Sequence, residues 1–170
     1  MAGTTLVGQS IGAGDRAWAY VLGNRVILLA ALYMGGMGLL LALSGPWLLP
    51  LFIGANQASA AAVVALGAQL LWIAALYQLF DGINMASGFC LRGAGDTVVP
   101  ATLVIALSWL LFVPLAHMLS FAPGQGWVDF LPQWGWGARG GWIAVVIYTV
   151  IVASALLVRW RSRAWQAYRA

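Results

Sequence analysis

From Val26 to Phe80 the chain carries no charged side chain. A hydrocarbon core about 30 Å thick needs about 20 helical residues to cross it, so this run holds two spans. Only 7% of all residues are charged and 63% are hydrophobic, whereas soluble domains carry about 25% charged residues. A chain of this composition cannot cover a soluble surface, and it reads as a membrane protein. Backbone polar groups inside a bilayer must be satisfied within each segment, so the spans are helices and the fold class is all-α.

Four full spans are expected after a short apolar opening. The stub, about residues 1–12, is too short to cross a bilayer and has no basic region, apolar core and cleavage site of a signal peptide. It is expected to be a truncated start. The helices are expected over about 17–44, 58–91, 98–121 and 140–158, forming a transmembrane bundle over 1–158, with a basic cytoplasmic tail over 159–170. Gly45-Pro46, Pro50 and then Gly54-Ala55-Asn56 are expected to break the first full span. The second apolar stretch is longer than a bilayer needs and should tilt or protrude. Pro114 is expected to kink the third.

Arginine placement supplies a direction. If each span crosses once, Arg16, Arg25, Arg92, Arg159, Arg161, Arg163 and Arg169 lie on one side, and only Arg139, near Asp129, lies on the other. This asymmetry predicts that the former side, with the C-terminus, is cytoplasmic in a multi-pass plasma (inner) membrane protein. The opposite loop holds Trp127, Phe130, Trp134 and Trp136, as an outer aromatic belt would.

The tetrapeptide Gly-Ala-Gly-Asp occurs twice on the arginine-rich side, in VGQSIGAGDRA and FCLRGAGDTVVP. Each follows an apolar helix, where Gly can take the left-handed C-cap conformation, and each ends in Asp, a residue suited to cap the next helix. Both therefore read as helix–turn–helix punctuation. The chain has no Lys, which excludes a GxxxxGK[ST] phosphate loop, and two lone Asp residues make a poor metal site.

Asp81 stands apart because it lies inside a span. At 1.5 Å per residue it is about 15 Å from Leu91, half the thickness of the hydrocarbon core. Tyr77, Gln78, Asn84 and Gly88 share its helix face and form a polar stripe. Intramembrane acids mark ion or proton paths, so Asp81 is the candidate ion-coupling carboxylate, with Tyr77, Gln78 and Asn84 lining a cavity. The alternative is a protonated Asp81 that only hydrogen-bonds a neighbouring helix.

Other polar residues fit structural roles better. His117 suits a hydrogen-bonded interfacial residue more than a proton relay. Arg25 suits snorkelling to the interface, or pairing with an acid of another helix. Gly35, Gly36 and Gly38 allow close helix packing, and Cys90 is a small packing residue. The tail RWRSRAWQAYR alternates Arg with aromatics and reads as an anchor for anionic lipid, with no nucleic-acid partner. No nucleophile–base pair or metal cluster is present, so no enzyme and no cofactor is expected.

Four stretches in order, TLVGQSIGAGDRAWA, YQLFDGINMASGFCLRGAGDTVVP, SWLLFVPLAHML and GWGARGGWIAVVI, resemble the C-terminal part of a multidrug and toxic compound extrusion (MATE) transporter. The segment from Gln78 to Pro100 is the most specific of them. The resemblance implies a two-lobe bundle of six plus six helices that exports cationic and amphipathic compounds in exchange for Na⁺ or H⁺. This chain is similar to the end of helix eight through helix twelve, a partial C-terminal lobe, and Asp81 matches the family's acid in helix ten. The expected partners are the lipid bilayer, small cationic substrates and the helices of the N-terminal lobe, which have no counterpart here. The chain is therefore expected to be incomplete and not competent for transport alone. A lipid-linked saccharide flippase of the same superfamily and a small membrane scaffold without transport are the alternatives.

Overall fold

A computed structural model describes residues 2–53 and 60–167. Six α-helices follow one another: α1 (Ala2–Gly12), α2 (Arg16–Phe52), α3 (Ala60–Gly93), α4 (Val98–Leu107), α5 (Val113–Ser120) and α6 (Gly137–Arg161). A π-helical segment, Ser108–Phe112, joins α4 to α5, and a 3₁₀ turn, Ala164–Ala167, follows α6. Four helical stretches are long and apolar enough to cross a membrane: Arg16–Phe52, Ala61–Gly93, Val98–Ser120 and Gly137–Arg161. Among the described residues there is no strand. The protein is a polytopic membrane helix bundle.

The α2–α3 hairpin is the most extensively packed pair, and glycine is the reason. A Cβ on Gly82 would stand 2.8 Å from the Ala30 carbonyl oxygen, and one on Gly38 would stand 3.0 Å from both Ala75 Cα and Gln78 Cβ. In lipid, where burial supplies no hydrophobic drive, such close backbone approach is how helices associate. Gly35 packs on Leu79, whereas a Cβ on Gly36 would meet nothing within 4 Å, and Gly36 belongs to the open face.

Two boundaries differ from the sequence expectation. The first full span does not break at Gly45-Pro46 or Pro50: α2 continues through both prolines to Phe52. Proline removes one backbone hydrogen bond, but packing against a neighbouring helix can hold the turn in place. Here Gly45 seats against Leu71 and Leu49 against Gly67, while the Ser44 hydroxyl donates to the Leu41 carbonyl at 3.2 Å. The expected break at Gly54-Ala55-Asn56 lies outside the described residues. In the third span Pro114 is accommodated by the π segment just before it, where the Val113 N–H reaches back to the Ser108 carbonyl. That wider turn makes room for the proline ring.

The second difference is at the C-terminal end. Trp160 and Trp165 of the tail do not form a lipid-facing anchor, and Tyr168 lies outside the described residues. Trp160 and Trp165 are fully buried and stack on each other with centroids 4.8 Å apart, Trp160 also stacking on Tyr20 of α2 at 6.0 Å. Their indole N–H groups donate to the Asn24 side chain (3.1 Å) and the Trp160 carbonyl (3.0 Å). Gly23 leaves the space that the Trp160 ring fills. Two indoles bury more apolar area than an interfacial position would, and both N–H groups find acceptors, so the inward arrangement wins. This cluster continues into Val7, Ile27, Cys90, Leu91 and Leu156, tying α1, α2, α3 and α6 together at the end where both Gly-Ala-Gly-Asp turns lie.

Those turns have one backbone geometry. Gly14 has φ +84° and Gly95 φ +81°. The Asp15 N–H donates to the Ser10 carbonyl (3.0 Å) and the Gly14 N–H to Ile11 (2.9 Å), while Asp96 donates to Leu91 (2.9 Å) and Gly95 to Arg92 (3.1 Å). Each pair is a Schellman closure of the preceding helix. The side chains diverge. Asp15 caps α2, accepting from the Trp18 N–H at 2.8 Å. Asp96 does not cap α4: it is buried and accepts from Arg159 Nε at 2.8 Å, and Thr97 stands at the N-cap without a side-chain bond. A carboxylate enclosed this fully is held better by a cation than by backbone N–H groups alone.

Candidate functional site

Asp81 lies inside α3, about 18 Å along the helix axis from its end at Gly93. The Gly82 contact with Ala30 brings the backbone beside it against α2. Tyr77 stands one turn earlier on the same helix. The Tyr148 hydroxyl shares a 2.9 Å hydrogen bond with Ser108, whose own hydroxyl lies 2.7 Å from the Val104 carbonyl. Tyr148 of α6 is thereby tied to the π segment. The loosened helix at 108–112 places Phe112 against Tyr148, centroids 5.4 Å apart.

Aromatic surface lies beside Tyr77. Tyr77 meets Trp142 edge-on at 6.3 Å. Together with Phe112, Gly141 and Val145 they line an open cleft of about 510 Å³. A smaller cavity of about 160 Å³ brings Tyr77 and Gln78 together with Gly38 and Trp142. Ring faces such as these can hold a cation through their negative quadrupole.

Of the stripe read from the sequence, Tyr77 and Gln78 line one cavity, and Asp81 is not among the residues that line it or the cleft. Asn84 does not join them in a cavity: it lines a separate groove with Gly88 and Arg92. Sequence reasoning missed Tyr148, Ser108 and Trp142. Tyr148 and Ser108 each interrupt an apolar helix, which is a visible signal, but only tertiary packing pairs them. His117 is buried, and its Nε2 accepts the Val128 N–H at 3.3 Å. It thereby holds the loop between α5 and α6, where Gln133 also donates to the Val128 carbonyl at 3.0 Å. Cys90 is buried between α3 and α2, 3.8 Å from the Gly23 carbonyl.

A bundle of spanning helices with an acid inside one span defines a polytopic membrane protein with a polar site at bilayer depth. The family model MatE matches residues 1–118, and the chain belongs to that family. It is similar to a "Probable multidrug resistance protein NorM" of Mesorhizobium japonicum, 32% identical over 160 residues, which cover 94% of this chain and 32% of the relative. A "Multidrug resistance protein NorM" of Burkholderia vietnamiensis is 32% identical over 155 residues, 91% of this chain and 31% of the relative. A "Probable multidrug resistance protein NorM" of Xylella fastidiosa (strain Temecula1) is 39% identical over 101 residues, 59% of this chain and 19% of the relative. The chain thus spans about a third of the length of the first two relatives. No solved structure matches it.

Proposed function

We propose that this chain contributes part of a secondary antiporter that exports cationic or amphipathic compounds in exchange for Na⁺ or H⁺, with Asp81 as the carboxylate that binds the coupling ion. The observation that carries this reading is the single acid within a span, one helical turn from Tyr77, which itself lines an aromatic cleft. A coupling site needs a group whose charge can be neutralised by either ion at bilayer depth, and a carboxylate is such a group. The names of the relatives support drug compounds as the cargo. Tyr77 and Gln78 line the ion's surroundings, and Trp142 and Phe112 offer ring faces to a flat cation.

The same reading assigns the arginine-rich end to the cytoplasm of a plasma (inner) membrane, following the positive-inside rule. Arg16, Arg159 and Arg163 all engage partners at that end, on Gln166, Asp96 and the Tyr20 ring. The substrate path and the remaining helices are supplied by partner segments of the size the relatives carry beyond the matched third.

The test is a chimera in which this chain replaces the aligned third of a NorM relative, reconstituted in vesicles and assayed for dye efflux under imposed Na⁺ or H⁺ gradients. Asp81→Asn is expected to reduce gradient-driven efflux to the level of protein-free vesicles while dye binding persists. Efflux unchanged in Asp81→Asn removes Asp81 from the coupling step.

A further inference from the structure

A second polar group lies apart from the Asp81 site, in a groove of about 520 Å³ between α3, α4 and α6. Its walls are apolar, formed by Met85, Val104, Ile105 and Leu156, and Asn84, Arg92 and Thr97 bring polar side chains to it. Arg92 is the penultimate residue of α3 and so stands at the membrane boundary of that span. Its guanidinium is folded back along the helix: Nη2 lies 3.8 Å from where a Cβ on Gly88 would stand, and the charge sits 4.9 Å from the Phe89 ring centroid. Gly88 keeps that floor open.

None of the three polar side chains has a hydrogen-bonding or acidic partner among the other described side chains. Asn84 and Thr97 make no side-chain hydrogen bond to another described residue, and Arg92 has no acidic partner among them. The nearby acid, Asp96, is committed to Arg159. The groove therefore combines a cation without an acidic partner and the Thr97 hydroxyl at its helix-end mouth with an apolar trough that continues past Asn84 toward the middle of the span. Each half selects a different part of one ligand: an anionic group for Arg92, an acyl chain for the trough.

We propose that this groove is a binding site for one anionic phospholipid, its phosphate held by Arg92 with Thr97 as a hydrogen-bonding partner, and an acyl chain lying along Val104, Ile105 and Leu156, past Asn84 deeper in the span. The site does not depend on the transport reading. It takes Asn84 away from the Asp81 stripe and gives it to a lipid contact.

The experiment reconstitutes the chain in phosphatidylcholine bilayers and measures motionally restricted spin-labelled phosphatidylglycerol against spin-labelled phosphatidylcholine by electron spin resonance. Phosphatidylglycerol is expected to be preferred, and Arg92→Gln to lower that preference about fivefold, the contribution of one basic side chain near a membrane surface. Arg161→Gln, which changes an exposed arginine outside the groove, should leave most of it. Ala101→Phe fills the groove from an exposed wall position and should reduce restricted phosphatidylglycerol with Arg92 intact, which keeps the test valid if Arg92→Gln folds poorly. Equal losses in Arg92→Gln and Arg161→Gln would mean diffuse charge attraction and overturn the site. Loss of the preference in excess inorganic phosphate would assign the groove to a free anion and overturn the lipid.

Discussion

The two Gly-Ala-Gly-Asp turns share four residues and one backbone hydrogen-bond pattern, yet they use their aspartates in opposite ways. Asp15 is exposed and caps the helix that follows it. Asp96 is 1% exposed and pairs with an arginine 63 positions away in the chain. The backbone geometry is local: Gly with positive φ and a closing N–H five residues on suffice to end a helix. The fate of the carboxylate is tertiary, decided by whether a cation from another helix arrives before solvent or the next helix does. At the first turn Arg16 points instead to the Gln166 carbonyl at 2.9 Å, leaving Asp15 to its own helix.

This contrast predicts unequal sensitivity. Arg159→Met would strand a buried carboxylate, at a cost of about 3 kcal/mol in reversible unfolding from mixed micelles. Asp96→Asn should cost less, because the Arg159 side chain is 23% exposed and can turn to water. The double replacement of Arg159 by Met and Asp96 by Leu should recover much of the loss, since an apolar pair of similar size often serves as well as a buried ion pair. If Arg159→Met costs no more than loss of an exposed helix cap, the second turn is not the tertiary junction described above.

The glycines provide the converse test, because there the turns should behave alike. Gly14 and Gly95 both have φ near +80° and no atom within 4 Å of an added Cβ. Gly14→Ala and Gly95→Ala should therefore each cost about 1 kcal/mol, from backbone strain alone. A gap between the two larger than measurement error would show that packing, not backbone conformation, sets the requirement for glycine.

Much of this was legible in the sequence, and the limits follow a physical line. The spans were visible because bilayer length and the absence of charge act on each segment separately. The glycine turns were visible for the same reason. What depends on a partner helix was not: α2 passes through Pro46 because Gly45 and Leu49 pack on α3, and Trp160 turns inward because Gly23, far away in sequence, leaves room for it. At the candidate site, Asp81 and Tyr77 lie one turn apart on one helix and could be read together. Tyr148 and Ser108 come from other elements, and the π segment that brings Ser108 to Tyr148 has no pattern in SWLLF that marks it.

The smallest expected effect separates the turns at the level of a single side chain. Asp15→Ala removes the bond to the Trp18 N–H and should cost about 1 kcal/mol, as loss of a helix N-cap does. Thr97→Ala occupies the corresponding N-cap of α4, but that side chain makes no capping bond, so its stability should change by less than about 0.5 kcal/mol. The sign of the contrast matters more than its size. A Thr97→Ala loss equal to that of Asp15→Ala would mean that α4 draws on a cap after all, and that Thr97 stands in for the carboxylate that Arg159 has taken.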